Sequence, residues 1–156
     1  MIEKFFKNLC EVNGIEAIAL LNNSNKIIDT WIGSKYDTSI FTEIGLSYLQ
    51  IFAMQDDRNF DVNEIVLLFD KGIIFVRNYQ KFFMIIIANP NVDISHIRLA
   101  INVGTFELNE SRKIQKQLKK FSSDKSHSLN ELELDDVERL MIEKIAENKD
   151  ASGTAE

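Results

Sequence analysis

Side chains able to do acid–base, nucleophilic or metal chemistry are few and scattered in this 156-residue sequence, with two histidines, one cysteine and carboxylates that pair only along the chain. The pairs are Asp56-Asp57, Asp135-Asp136 and Glu131 with Glu133. General acid–base catalysis needs carboxyl groups opposed across a substrate and held in different environments; neighbouring positions supply neither, so these read as solvated helix ends. His96 falls in a predicted helix and His127 in a polar stretch, neither with the context of a metal site or a triad. Cys10 shares a helical face with Ile2, Phe5, Phe6 and Leu9 and reads as a small buried hydrophobe. Alone, it can form neither an intramolecular disulfide nor a cysteine-based zinc site. Gly14, Gly33, Gly45, Gly72, Gly104 and Gly153 are too dispersed for a phosphate cradle, and no Walker-type loop, dinucleotide fingerprint or zinc-protease helix is present. The expectation is a chain without catalytic, cofactor or metal residues: not an enzyme, but a protein that works by binding other proteins. A small-molecule sensor or enzyme on an α/β sheet stays open as an alternative and would require an internal pocket.

The length fits one domain with a sizeable core, and 45% hydrophobic with 27% charged residues is ordinary globular composition. A net charge of −6 argues against nucleic acid, whose binding depends on clustered cations that release counterions. The one basic cluster, Arg112 and Lys113 through Lys116, Lys119 and Lys120, reads as a solvated helix end complementing the macrodipole, with a partner-binding or anionic-membrane patch as the alternative. The longest apolar runs, Ile15 to Leu21 and Phe82 to Ala88, are far too short to insert across a membrane. Glu3, Lys4 and Lys7 interrupt the N-terminal apolar residues, so no signal peptide is read and a cytoplasmic location is expected.

Ile2, Phe5, Phe6, Leu9 and Cys10 recur at helical spacing and predict an opening helix that ends near Asn13-Gly14. Ile15 to Leu21 is apolar at nearly every position, as a strand covered on both faces would be; Asn22 to Asn25 form its turn and Lys26 to Gly33 its hairpin partner. From Thr38 to Gln55 the spacing returns to helix, with Phe41, Ile44, Tyr48, Ile51 and Phe52 near one face. Gly45 within it costs roughly 1 kcal/mol relative to alanine, which points to close packing there. Val62 to Asp70, Gly72 to Asn78 and Phe82 to Ala88 predict an antiparallel meander, followed by a long helix from Ile94 towards Phe121. Residues 122–128 read as a linker, 129–148 as an amphipathic helix with the stripe Leu134, Val137, Met141 and Ile145, and 149–156 as a fraying end. That stripe either covers the core or binds a partner. Trp31 and Tyr36, flanking Gly33-Ser34, read as core or edge packing, with a partner anchor as the alternative.

The order helix, two strands, helix, three strands, helix over residues 1–121 resembles the roadblock/LC7 family. The residues that carry the resemblance are Gly14-Ile15-Glu16-Ala17-Ile18-Ala19-Leu20-Leu21, the hairpin to Ile28-Asp29-Thr30-Trp31, the Gly45-containing helix, and Phe69-Asp70-Lys71-Gly72 leading into Ile73-Ile74-Phe75-Val76. It implies an α/β (α+β), profilin-like fold: a five-stranded antiparallel sheet with the Gly45 helix on one face and the terminal helices on the other. It also implies a homodimer formed by pairing third strands and packing Gly45 helices, with Phe41, Ile44, Gly45, Tyr48, Ile65, Leu67 and Phe69 at the interface. Gly45 and Ser47 would let the two helices approach closely. The function implied is scaffolding or regulation of a Ras-like small GTPase, including stimulation of its GTP hydrolysis; the alternative is a structural light-chain-type subunit of a motor or cytoskeletal assembly that ignores nucleotide state. Arg58, Arg77 and Arg98 are then each a candidate charge-stabilising finger for a bound GTPase, against a default of surface ion pairing.

Overall fold

Two unbroken apolar runs become the middle of a sheet. The structure, a computed structural model, describes residues 1–33, 35–56, 62–79 and 81–122. In it, β1 (Ile15–Asn22) pairs antiparallel with β5 (Phe82–Ala88), bringing Ile18 opposite Ile86 and Leu20 opposite Met84. All seven residues of β5 are buried, as a strand covered on both faces must be. β2 (Ile27–Ile32) flanks β1, while β4 (Gly72–Asn78) and β3 (Glu64–Phe69) continue on the far side of β5. The result is one antiparallel five-stranded sheet in the order β2-β1-β5-β4-β3, which matches the expected fold class.

Alternation along the strands sorts the core onto two faces. Ala17, Ala19, Leu21, Val76, Phe83, Ile85 and Ile87 meet Phe41, Tyr48 and Phe52 of α3 (Ser39–Asp56). On the other face Ile18, Leu20, Phe75, Met84 and Ile86 meet the short turns α1 (Ile2–Phe5) and α2 (Lys7–Cys10), together with α4 (Ile94–Glu110) and α5 (Arg112–Ser122). A register shift between Ile15 and Ala17 puts both Ile15 and Ile18 on this second face, which strict alternation would forbid.

Two helices expected to be continuous are broken, and neither break has a proline or glycine at it. The opening helix splits at Phe6 (φ −116°, ψ 30°), which keeps Ile2, Phe5, Phe6 and Leu9 all buried where Gly104 of α4 presses against the Phe5 carbonyl. The long helix splits at Ser111 (φ −82°, ψ 94°). A straight helix over residues 94–122 would run about 43 Å, well past the sheet; the bend instead returns Ile114 and Leu118 to the core. Asp93 caps α4 through a 2.8 Å bond from the Ser95 amide. In the β1–β2 turn the Asn22 side chain accepts from the Ser24 and Lys26 amides, and Asn25 takes a left-handed φ of 59°. Ser122, expected as the first linker residue, is the last of α5. The rest of the expected linker, the 129–148 helix with Leu134, Val137, Met141 and Ile145, and the 149–156 end lie outside the described residues. Among the described residues no helix is long and apolar enough to cross a membrane.

Candidate functional site

β3 is an edge strand whose sequence, Glu-Ile-Val-Leu-Leu-Phe, has five consecutive apolar residues and neither lysine nor proline to blunt it. Leu67, Leu68 and Phe69 are 41%, 69% and 54% exposed. The Asn78 amide donates to the Asn63 carbonyl at 2.8 Å, which fixes the phase of the ladder. Ile65, Leu67 and Phe69 therefore bond inwards to β4, and the backbone donors and acceptors of Glu64, Val66 and Leu68 point out to the open edge. Leu67 and Phe69 share a face with Ile65 on the α3 side, while Leu68 lies on the side of α4. The opposite edge is different: in β2 the Asp29 carboxylate holds the Met1 ammonium at 2.6 Å and the Ile2 amide at 2.7 Å. Burial pushes that carboxyl up, and these hydrogen bonds outweigh it, leaving Asp29 below its ordinary value.

At its N-terminal end β3 carries an ion cluster. Glu64 accepts from Arg77 Nη1 at 2.8 Å across the β3–β4 pair, and from Arg98 Nε and Nη2 of α4 at 2.7 and 2.6 Å. The bond to Glu64 pushes the Arg98 guanidinium further up, so it stays charged throughout the working range. Two of the three arginines read as candidate fingers are thus committed to one carboxylate, and Arg58 lies outside the described residues.

Of the interface residues expected on α3, Phe41 and Tyr48 face inwards. Phe41 and Tyr48 are buried in the chain's own core beneath the sheet, and Ile44 and Ile65 are half-buried against the same cluster. Gly45 does accommodate a close approach, but from within the chain: a Cβ there would collide with Asn25 Oδ1 and come 3.2 Å from Leu21 Cδ2. Asn25 is fastened to the helix by its Nδ2 donating to the Thr42 carbonyl at 2.8 Å. The physical reason is that the strongest apolar stripe of a surface helix packs on its own sheet. The residues α3 turns outwards are Leu46 and Met54, with Ile51 at the margin. Leu46 and Met54 stand apart from the periodic stripe, whereas Ile51, expected on the face of Phe41 and Tyr48, lies at its edge and is 38% exposed. Leu67 and Phe69 remain available to a partner. Leu68, part of the same apolar run though not among the expected interface residues, is exposed on the other face of the strand.

The remaining candidates are placed without a site forming around them. His96 is exposed on α4, 3.9 Å from Asp93. Cys10 is half-buried, and burial pushes its thiol up, away from reactivity. Trp31 packs against one core cluster and Tyr36 against the other. Tyr36 donates to Glu16 Oε2 at 2.5 Å, which raises the phenol to about 12 and lowers the Glu16 carboxyl. Asp57, His127, Glu131, Glu133, Asp135 and Asp136 lie outside the described residues. Among the described residues no three His, Cys, Asp or Glu side chains gather to hold a metal ion. An open groove of about 510 Å³ runs between α2 and α4 over Val12, Val92, Leu99, Ala100 and Val103.

No protein-family model matches the sequence, and no curated protein matches it. Solved structures do. A roadblock/LC7 domain from Streptomyces avermitilis superposes with a TM-score of 0.56 at 12% identity, covering 66% of this chain and 89% of that one. MglB from Myxococcus xanthus gives 0.59 at 15% identity over 76% of this chain and 95% of its own. An MglB with a tetrameric arrangement gives 0.57 at 8% identity over 77% and 88%. The fold is the roadblock/LC7 fold. Within it, the two exposed surfaces described above, the β3 edge and the outward side of α3, border the same face of the sheet.

Proposed function

We propose that this chain is a non-catalytic homodimeric scaffold or regulator that binds a Ras-like small GTPase in the cytoplasm. The observation that carries the reading is the open, apolar, unblunted β3 edge on a roadblock/LC7 fold. An edge of this kind is either covered by another strand or prone to aggregation. A second copy covers it and joins two sheets into one, with both α3 helices on the same face. That a solved structure of this fold is an MglB with a tetrameric arrangement supports self-association. The GTPase is what the roadblock/LC7 resemblance implies, and this chain brings it a surface rather than reacting groups. Arg77 and Arg98, tied to Glu64, favour scaffolding over donation of a finger.

The test is light scattering of the full chain, followed by capture of small GTPases loaded with GDP or a GTP analogue. A dimer that prefers one nucleotide state supports the reading. Capture that ignores nucleotide state would replace it with the structural-subunit alternative, and a monomer that captures no GTPase would remove it.

A further inference from the structure

This inference rests on the self-pairing proposed above and concerns how a second β3 is set against the first. Because Glu64, Val66 and Leu68 present the free backbone groups, an antiparallel second copy must place even-numbered residues opposite even-numbered ones. Registers that overlap at least half of the strand put the two-fold axis at Ile65, Val66, Leu67 or Leu68; the last overlaps only three strand residues and sets Val66 against the carboxylate of Asp70. Side chains decide between them, because a one-step slip changes every cross-strand pair. With the axis at Ile65, exposed Leu67 faces Asn63. With the axis at Val66, exposed Leu68 faces the carboxylate of Glu64 and Phe69 faces Asn63. With the axis at Leu67, Leu67 faces itself, Leu68 faces Val66 and Phe69 faces Ile65, so all three exposed apolar residues gain apolar partners.

Charge selects the same register independently. Only with the axis at Leu67 does Asp70, the exposed residue that follows β3, fall opposite Glu64 of the other copy. Glu64 there is over-neutralised by Arg77 and Arg98, a cluster of one carboxylate and two guanidiniums with a surplus positive charge. Arg98 spends Nε and Nη2 on Glu64, and no bond among the described residues uses its Nη1. We propose that two copies of the chain join along β3 about a two-fold axis at Leu67, with the Glu64–Arg77–Arg98 cluster of each copy receiving Asp70 of the other and so fixing the register.

The test uses single-cysteine variants of the full chain in a Cys10→Ala background: Ile65→Cys, Val66→Cys, Leu67→Cys and Leu68→Cys, oxidised mildly and read as cross-linked dimer. At the axis, Leu67 sits in a non-hydrogen-bonded pair with Cα atoms about 4.5 Å apart, within disulfide reach. Positions 65, 66 and 68 would be displaced from their own copies by about 13, 7 and 7 Å along the strand, too far to bridge. The expected result is efficient cross-linking at 67 alone. Cross-linking at 65, 66 or 68 instead would overturn the register while leaving edge pairing standing. A dimer that links at none of the four would overturn edge pairing too, and a monomer by light scattering would remove the homodimer itself. Asp70→Lys, an exposed change, should raise the dimer Kd about tenfold because the contact occurs twice. Combining it with Arg98→Glu should recover part of that loss; an unchanged Kd for Asp70→Lys would refute the charge contact.

Discussion

Replacing Gly45 by alanine tests whether this glycine serves the chain's own turn or a neighbouring copy. In an open helix the substitution should stabilise by about 1 kcal/mol, since glycine is the poorer helix former. Here the new methyl would run into Asn25 Oδ1 and come within 3.2 Å of both Asn25 Cγ and Leu21 Cδ2. Asn25 cannot simply swing aside, because Nδ2 is bonded to the Thr42 carbonyl and its backbone is fixed at φ 59°. Overpacking of this kind costs roughly 1–3 kcal/mol, and losing the Thr42 bond about 1 more. Gly45→Ala should therefore destabilise by about 1–3 kcal/mol net. Asn25→Gly keeps the left-handed backbone without strain and removes both the obstacle and an Oδ1 that is buried without a partner, so its own cost should stay below about 1 kcal/mol. In that background Gly45→Ala should turn stabilising by up to about 1 kcal/mol.

The coupling expected from this double-mutant cycle is about 2–4 kcal/mol, read from urea unfolding followed by circular dichroism. Each variant must be measured at several protein concentrations, because self-association would add a concentration-dependent term. Additivity within about 0.5 kcal/mol would show that Asn25 is not what Gly45 accommodates. If Gly45→Ala instead left the unfolding of dilute protein unchanged and abolished association, the close approach would be between two helices, and the placement of Gly45 against Asn25 would be wrong as its explanation.

Gly104→Ala should destabilise by about 3 kcal/mol in urea unfolding, because its Cβ would meet the Phe5 carbonyl oxygen, which is backbone and cannot rotate away; wild-type stability would show that α1 is not seated on α4. Tyr36→Phe removes the 2.5 Å bond to Glu16 and, after discounting for solvent screening, should cost about 1 kcal/mol at neutral pH. The Glu16 carboxyl is lowered in the folded state, so its contribution is present above the unfolded carboxylate range and lost as pH falls through the lower folded value. The Tyr36 phenol is raised to about 12, so its contribution is complete below pH 10 and lost as pH rises through 12. Stability curves of wild type and Tyr36→Phe should converge at both ends, and a constant offset across pH would rule this pair out as the cause. Leu68→Lys, at a position 69% exposed, should change monomer stability by no more than about 0.5 kcal/mol yet shift the chain to monomer by light scattering; an unfolded variant would mean that the edge belongs to the core.

How much of this could be read from the sequence depends on whether a feature is decided locally. The runs Ile15 to Leu21 and Phe82 to Ala88 announced central strands because burial on both faces removes alternation, and they pair over nearly their whole length. The turn at Asn22 to Asn25 was legible from side chains that bond their own backbone. The breaks at Phe6 and Ser111 were not, because each is set by what the following residues must reach across space. The same holds for the site. Helical spacing located the stripe of Phe41, Tyr48 and Phe52, which the sheet buries, but could not divide one stripe between the chain's own core and a partner, and Leu46 and Met54 carry no periodic signal at all. Ion pairing was the default reading for Arg77 and Arg98, but the sequence could not name their common partner, Glu64, which lies 13 and 34 residues away.

The two halves of β3 answer different demands. Its first residue is tied to β4 through Arg77 and to α4 through Arg98, so the strand is held to both the sheet and the helical layer before its apolar residues begin. Its last three residues have only β4 behind them, and no helix among the described residues covers Leu68 or Phe69. A strand fixed at one end and uncovered at the other presents a rigid apolar edge, which lowers the ordering cost that a mobile edge would impose on association. The same tether limits how the edge can be used. A partner strand that slid past Glu64 would bring an apolar side chain against a buried-edge carboxylate with two guanidiniums, and desolvating that cluster without a counter-charge is unfavourable. Arg77 and Arg98, whose default reading was ion pairing, do pair with Glu64, and under the proposed register that cluster is what makes one alignment of this edge preferable to its neighbours.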